Sequence, residues 1–476
     1  AGHDFPLRWP TLTGEITRGL AAATSSKPDQ LGAFLSSSGG PAGAADSVLH
    51  RFHASLLTLR VLCRLFEFRD RGVDGPLTTL ITETFADVLY SAKCFAVLGK
   101  ITTTKDQGSG APPSTPIVDA NGKSQQLQQQ GGGSSSYEGL APFSGQLGEL
   151  VKLALKSFWS ACYMGLPLAM TTVKSPPVVL SNGQAPYRSS LEPGGSTLLE
   201  GWLELIHDLI SQKVPLPLLE GSAGFHAPPD PLRDPEAAAE WPWWKAQKWA
   251  LHVVSRLSSR YGDPKSLAFQ HSRAISGSKG TPAASNAVAA VEKEREFAES
   301  WAKGHGVGEQ FLQAVLEGPL ARAGAYFNAE AAAAAAGSSE AQREVLQSNW
   351  VSPRALNLAL KFVNLAVPLS SPWRALKPHA AALVSAVSLP CAAFDDADEE
   401  LWDSDPAELV RRSNDVVVEL YSPRAAAVNF VVALCRQRGA TALAPTMTAI
   451  GASLQQLLLL SQQQQQQQQP QGAENS

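Results

Sequence analysis

The feature that most limits what this chain can fold into is the spacing of its large apolar side chains. Leu49, Phe52, Leu56, Leu59, Cys63 and Phe66 follow one another at alternating intervals of three and four. That spacing draws one stripe down one side of an α-helix. Phe85, Val88, Leu89, Phe95 and Leu98 form a second stripe after Pro76, and Leu150, Leu153, Phe158 and Cys162 a third. Leu199, Trp202, Ile206, Leu209 and Ile210 form a fourth, which stops before Val214–Pro217, because proline cannot donate to a helix. Further helical blocks cover 242–261, 309–328, 353–367, 374–389, 406–420, 423–437 and 444–460. Period-two alternation is rare and no Asn-Gly or Asp-Gly turn links two apolar runs, so an all-α fold is expected.

Between the blocks lie segments poor in large apolar residues. Residues 101–145, 174–196, 220–239, 264–290 and 329–341 are rich in Gly, Pro, Ser, Ala or Gln, and 461–476 is a Gln-rich tail. Such composition buries too little surface to offset chain entropy, so disordered insertions and a disordered tail are expected there. Helix, turn, helix and tolerated insertion is the pattern of a solenoid, in which each helix pair exposes an apolar face that only its neighbour covers. Over residues 1–460 the blocks suggest about five or six pairs.

Charge and cysteine content exclude several classes. The 39 Lys and Arg nearly balance 43 Asp and Glu, for a net charge of −4, which gives no basis for direct nucleic-acid binding. The five cysteines form no C-x-x-C pair and read as reduced packing residues of a cytosolic or nuclear protein. No apolar run reaches membrane-spanning length and no signal peptide is visible. The sequence lacks an initiator Met and reads as a fragment.

One segment invites a chemical reading. From Asp395 to Glu408, eight of fourteen residues are carboxylates. A calcium loop starting at Asp396 would need glycine at Leu401 and an acid at Ala407, and a start at Asp403 fails likewise. Consecutive carboxylates fan outward rather than converge on a substrate, so an acid/base pair is excluded too. Asp405, Pro406 and Glu408 instead occupy N-cap, N1 and N3 of a helix, with a capping-box acid. Leu401 and Trp402 read as a buried pair. Acids left over after capping, Asp395, Asp396, Asp398, Glu399 and Glu400, are expected to form a negative patch for a basic partner.

The stretch 240–264 holds Trp241, Trp243, Trp244 and Trp249 within nine residues. Trp243 or Trp244, with Trp249, Val253 and Leu257, fits a buried helix face better than a base-stacking platform. His50 and His53, three apart, lack a companion Cys or carboxylate at helical spacing, so no metal is expected. Phosphate-loop, dinucleotide, serine-hydrolase and zinc-protease motifs are absent. Neither an enzyme nor a cofactor is indicated.

Several long words carry a family resemblance: "GHDFPLRWP" (2–10), "PWWKAQKWALHVVSRLSSRYGDP" (242–264), "SPRALNLALKFVNLAV" (352–367), "PWRALKPH" (372–379) and "DADEELWDSDPAELVR" (396–411). They resemble the importin-beta superfamily, in its importin seven and importin eight branch. The matching positions Asp4, Pro6, Trp9, Trp243, Trp244, Trp249, Pro353, Trp373, Pro378, Trp402, Asp405 and Pro406 look structural. The resemblance implies a superhelix of HEAT repeats, armadillo-like, acting as a nuclear transport receptor that shuttles between cytoplasm and nucleus through the nuclear pore. It also implies partners: Ran–GTP, FG-repeat nucleoporins, and basic cargo such as ribosomal proteins or histones. The match begins after the family's first repeats, so Ran would be met mainly outside this chain. "AELVRRSNDV" (407–416) lacks aromatic residues expected for that helix. An exportin of the cellular-apoptosis-susceptibility type, or a HEAT scaffold without Ran binding, are the alternatives.

Overall fold

The computed structural model describes residues 11–37, 43–67, 75–101, 138–187, 195–214, 228–265, 267, 282–336, 339–394, 396–413 and 420–468. They divide into two compact units. The first takes in Ala1–Met164, Ala169–Glu204 and Val214–Pro228; the second takes in Gly165–Leu168, Leu205–Lys213 and Pro229–Ser476.

Helices of the first unit are α1 (Leu12–Thr24), α2 (Pro28–Ser37), α3 (Ala44–Phe66), α4 (Pro76–Ile101), α5 (Ser144–Ala161), α6 (Leu168–Thr172) and the first half of α7 (Leu198–Ser211). Their packing skips along the chain. α3 lies against α5 and α1 against α4, while α1 also meets α3 and α4 meets α5. Two layers result, each built from alternate helices, as in a stack of helix pairs. The apolar stripes face inward: Phe52, Leu56, Leu59 and Cys63 are fully buried, as are Phe85, Val88, Leu89, Phe95 and Trp202. Phe52 meets Phe95 at 5.2 Å between ring centroids, and Trp202 stacks on Phe158 at 5.0 Å. α1 crosses α3 so closely that a Cβ on Gly19 would lie 1.8 Å from Ser55 Oγ. A buried charge crosses this core: Lys93 is fully covered, with Nζ 2.8 Å from Glu204 Oε2 and 4.6 Å from the Tyr187 ring centre.

The second unit repeats the arrangement. Its helices are α8 (Pro235–Ala239), α9 (Pro242–Tyr261), α10 (Pro282–Ala302), α11 (Val307–Val315), α12 (Ala321–Ala336), α13 (Glu340–Asn349), α14 (Pro353–Ala366), α15 (Ser370–Leu376), α16 (Ala380–Leu383), α17 (Leu389–Ala392), α18 (Asp396–Ser404), α19 (Pro406–Ser413) and α20 (Pro423–Gln468). α14 packs between α9 and α20 as one layer. α11 against α15, and α12 against the π-turn Val384–Ser388, form the other. α14 and α20 start alike: Ser352 Oγ and Ser422 Oγ accept the N–H of Ala355 and Ala425, and a proline follows each serine. Gly318, with non-helical backbone in the π-turn Leu316–Leu320, passes so near Ile210 that a Cβ would sit 2.7 Å from its carbonyl oxygen. The fold is all-α, of the HEAT-repeat kind. Among the described residues the only β pairing is an isolated bridge, Lys174–Thr197.

Parts of the expected insertions take up structure. In 174–187 Val178 and Tyr187 are buried, so this proline-rich stretch packs through a few large residues. Within 220–239, Asp234 Oδ1 accepts Ala237 N–H at 2.9 Å and starts α8 at Pro235. α10 covers 282–290 and α20 continues to Gln468. The alanine run is helical to Ala336, since alanine loses least on entering a helix. Beyond it Ser339 and Gln342 close a capping box. Residues 102–137, 188–194, 215–227, 268–281 and 469–476 lie outside the described residues.

A candidate partner-binding site around the acidic segment

The acidic segment folds into two short helices. Asp405 Oδ1 accepts the N–H of Glu408 at 3.0 Å, and Pro406 is the first residue of α19. The capping box is left half made. Asp405 N–H donates to Leu401 O at 2.7 Å, and Glu408 turns instead to Arg411 and Arg412, at 2.6 and 3.1 Å. Hydrogen bonds from these two guanidiniums hold the Glu408 carboxyl at about 2.

The expected leftover acids separate into three groups. Asp395, and the side chain of Asp396, lie outside the described residues. Asp398 does not belong to a free patch: its carboxylate is ion-paired with Arg424 in the first turn of α20, and only 15% of the side chain is exposed. Nothing in the spacing foretold this bond, because its partner is 26 residues away. Glu399 and Glu400 are exposed, as is Asp403, which sequence reasoning left out of the patch. Trp402 is a second correction. It is 51% exposed. Successive helical residues are about 100° apart, so Leu401, half covered, and Trp402 cannot face the same neighbour.

Beside α18 opens a cleft of about 960 Å³. Tyr326, Phe327 and Glu330 of α12 line it with Trp350, Phe394 and Arg424. Arg424 Nη2 also donates to Ala393 O at 2.8 Å. Cys391 lies in the same wall, its thiol pushed up to about 11 by burial. Tyr326 Oη donates to Glu330 Oε1 at 3.3 Å, and burial raises the phenol to about 12.

Most of the other family positions among the described residues are packed against neighbours or stand at helix starts. Trp243 and Trp244 are buried, and Trp244 meets Trp350 edge-on at 5.1 Å. Trp249 is half-buried, 5.3 Å from His252, whose imidazole burial and the charges of Arg354, Lys248 and Lys361 hold down at about 4. Trp373 is covered by the Arg438 guanidinium at 5.3 Å. Pro353 opens α14 and Pro378 lies exposed in a 3-10 turn. Asp4, Pro6 and Trp9 lie outside the described residues. A polar clamp went unread: Arg354 and Lys361 both donate to Leu420 O, and Asn357 Nδ2 donates to Ser422 O at 2.7 Å. Its only sequence signal is three polar residues at positions i, i+3 and i+7 of one helix face.

Contrary to the sequence reading, His50 has a carboxylate at helical spacing: its Nδ1 lies 3.2 Å from Asp46 Oδ2, four residues back, with His53 beside it in a small pocket of about 210 Å³. Among the described residues no group of three or more His, Cys, Asp or Glu is placed to hold a metal ion. None of their helices is long and apolar enough to cross a membrane.

No protein-family model matches the sequence. Individual proteins do. An Arabidopsis thaliana protein, importin beta-like SAD2 homolog, is 24% identical over 436 residues, which is 92% of this chain. Human importin-8 is 26% identical over 53% of the chain. The chain resembles importin beta-like proteins along most of its length. It spans 28% of the Arabidopsis importin-like protein and 18% of human importin-8. A further relative of this importin-like chain, nonsense-mediated mRNA decay protein 5 of Saccharomyces cerevisiae, is 23% identical over 65% of it.

Proposed function

We propose that this chain is part of an importin that carries protein cargo into the nucleus under the control of Ran–GTP. The observation that carries the reading is the alignment to an importin beta-like protein over 92% of the chain. The fold agrees with it, since alternate helices in two layers give a repeat surface rather than an enclosed pocket for chemistry. On this reading the receptor shuttles between cytoplasm and nucleus and meets FG-repeat nucleoporins at the pore. Ran contacts it mainly through repeats outside this chain. Glu399 and Glu400, with Asp395 and Asp396, supply negative charge to basic cargo such as a histone or ribosomal protein.

The test is a pull-down from purified components. The full-length receptor containing this chain is expected to retain Ran–GTP but not Ran–GDP, and to release a histone cargo when Ran–GTP is added. A folded full-length protein that ignores both nucleotide states of Ran is a scaffold instead. One that takes up cargo only with Ran–GTP is an exportin.

A further inference from the structure

We infer that the exposed face shared by α9 and α14 receives a carboxylate-rich segment of a partner protein. α9, α14 and α20 form one layer, and between them they carry nine Lys and Arg and no Asp or Glu, in a chain whose net charge is −4. Lys245, Lys248, Trp249, His252 and Arg256 recur at helical spacing, so they lie along one side of α9. Arg354 and Lys361, about two turns apart, do the same on α14, which packs against it. Arg256 is exposed, and Lys248, His252, Arg354 and Lys361 are partly so. Lys245, Arg260 and Arg424 each meet a carboxylate from outside the layer, in Glu240, Glu294 and Asp398. Arg354 does not. Its partners are Leu420 O, Asn357 Oδ1 and the Tyr421 ring, none of them charged. Lys361 Nζ reaches the same Leu420 carbonyl at 2.9 Å, which sets an ammonium beside the guanidinium. Lys248 joins the group from α9, since its charge acts with theirs on the His252 imidazole.

Charge selects the occupant. A guanidinium and an ammonium that converge on one oxygen hold it as they would hold a carboxylate, and the further cations along α9 favour the same sign. A basic segment would be repelled here, and an apolar one would gain nothing from the charges. From Lys245 to Arg256 the face runs about 16 Å, the reach of about five extended residues. Nucleic acid fits less well: Trp243 and Trp244 are buried and Trp249 is half-buried, so these rings do not stand open for base stacking. The surface lies within one unit and asks nothing of Ran, so it stands apart from the receptor reading.

The whole chain, without Ran, is titrated against a fluorescein-labelled nonapeptide rich in glutamate and read by anisotropy. Beside it run the same peptide with glutamine for glutamate, one with arginine for glutamate, and a thymidine oligonucleotide of nine bases. The glutamate peptide is expected to bind, the other three at least tenfold more weakly, and added salt should weaken its binding. Lys248→Gln and Arg256→Gln, both outside the clamp on Leu420, should each weaken it about twofold to fivefold, the range of one exposed ion pair. Bound peptide should also slow acetylation of Lys248 and Lys361 by an N-hydroxysuccinimide ester, read by mass spectrometry, while the exposed Lys303 reacts as before. Equal binding of the glutamine peptide, or preference for the arginine peptide, would overturn the inference. Tighter binding of the oligonucleotide would do so too, in favour of a nucleic-acid partner. So would glutamate-peptide binding without protection of Lys248. That last measurement needs no substitution, so a variant that fails to fold cannot obscure the outcome.

Discussion

Arg322 offers the sharpest test of the energetics, because its replacement is expected to stabilise the protein. The residue stands second in α12, is 7% exposed, and its Nε and Nη2 are buried without a hydrogen-bond partner. Burial alone lowers its ionisation from the ordinary arginine range to about 10. At about 1.36 kcal/mol per unit, keeping this guanidinium charged in the fold costs about 3 kcal/mol. The unfolded chain binds the proton more tightly, so the whole penalty is present below pH 10 and fades as pH rises above it toward the ordinary arginine range. Arg322→Met keeps an unbranched side chain of similar length and removes the charge. Replacing buried ionic groups by apolar ones commonly gains about 1–4 kcal/mol. In urea denaturation at pH 7 the gain should raise the midpoint by roughly 1 M if the slope is near 3 kcal/mol/M. Arg322→Lys, which keeps a charge, should give no gain. A midpoint for Arg322→Met at or below the parent value, with unchanged slope, would refute the reasoning.

Three further outcomes are expected. Glu204→Gln should destabilise the first unit by roughly 3–5 kcal/mol by removing the carboxylate 2.8 Å from the buried Lys93 ammonium, and adding Lys93→Met should restore most of the loss, as read by thermal or urea unfolding. Asp405→Ala should cost about 1 kcal/mol, seen as faster amide exchange in 406–413; unchanged exchange would contradict that helix start. The Glu408 carboxyl should titrate by NMR near pH 2. Its folded value lies below the ordinary 4.5, so its contacts with Arg411 and Arg412 hold above pH 4.5 and are lost as pH falls through about 2.

What could be read from the residues follows the range of the interaction involved. The stripe from Leu49 to Phe66 is buried because a 3.6-residue period fixes which side chains share a face, whereas Trp243 and Trp244 are both buried where that period offered one of the two. The start of α19 was legible for the same reason: a cap acts over three residues. Length scale also explains the misses. Residues 329–336 lack the apolar residues that build a core, but a surface helix of alanine needs none. Asp398 finds Arg424, and Glu330 enters an aromatic cleft, through contacts set by how helices stack, which no local spacing encodes. Trp402 was misread because its neighbour Leu401 took the inward direction.

The clamp on α14 changes what counts as one repeat. Arg354, Asn357 and Lys361 seize the backbone just ahead of α20, and Arg438, where α20 bends, donates to Val367 O and Pro368 O at 2.8 and 3.0 Å. α14 thus has both ends tied to the helix that follows it in its layer. In a linear array, stability divides into the terms of each repeat and the couplings between neighbours. Here part of the coupling is polar and reaches about 70 residues along the sequence. A shortened protein cut before Leu420 would keep every residue of α14 yet lose the carbonyl that satisfies Asn357 and the guanidinium that covers the carbonyls at its C-terminal end. The natural place to divide the array lies past Arg438, inside a helix rather than in the loop before it.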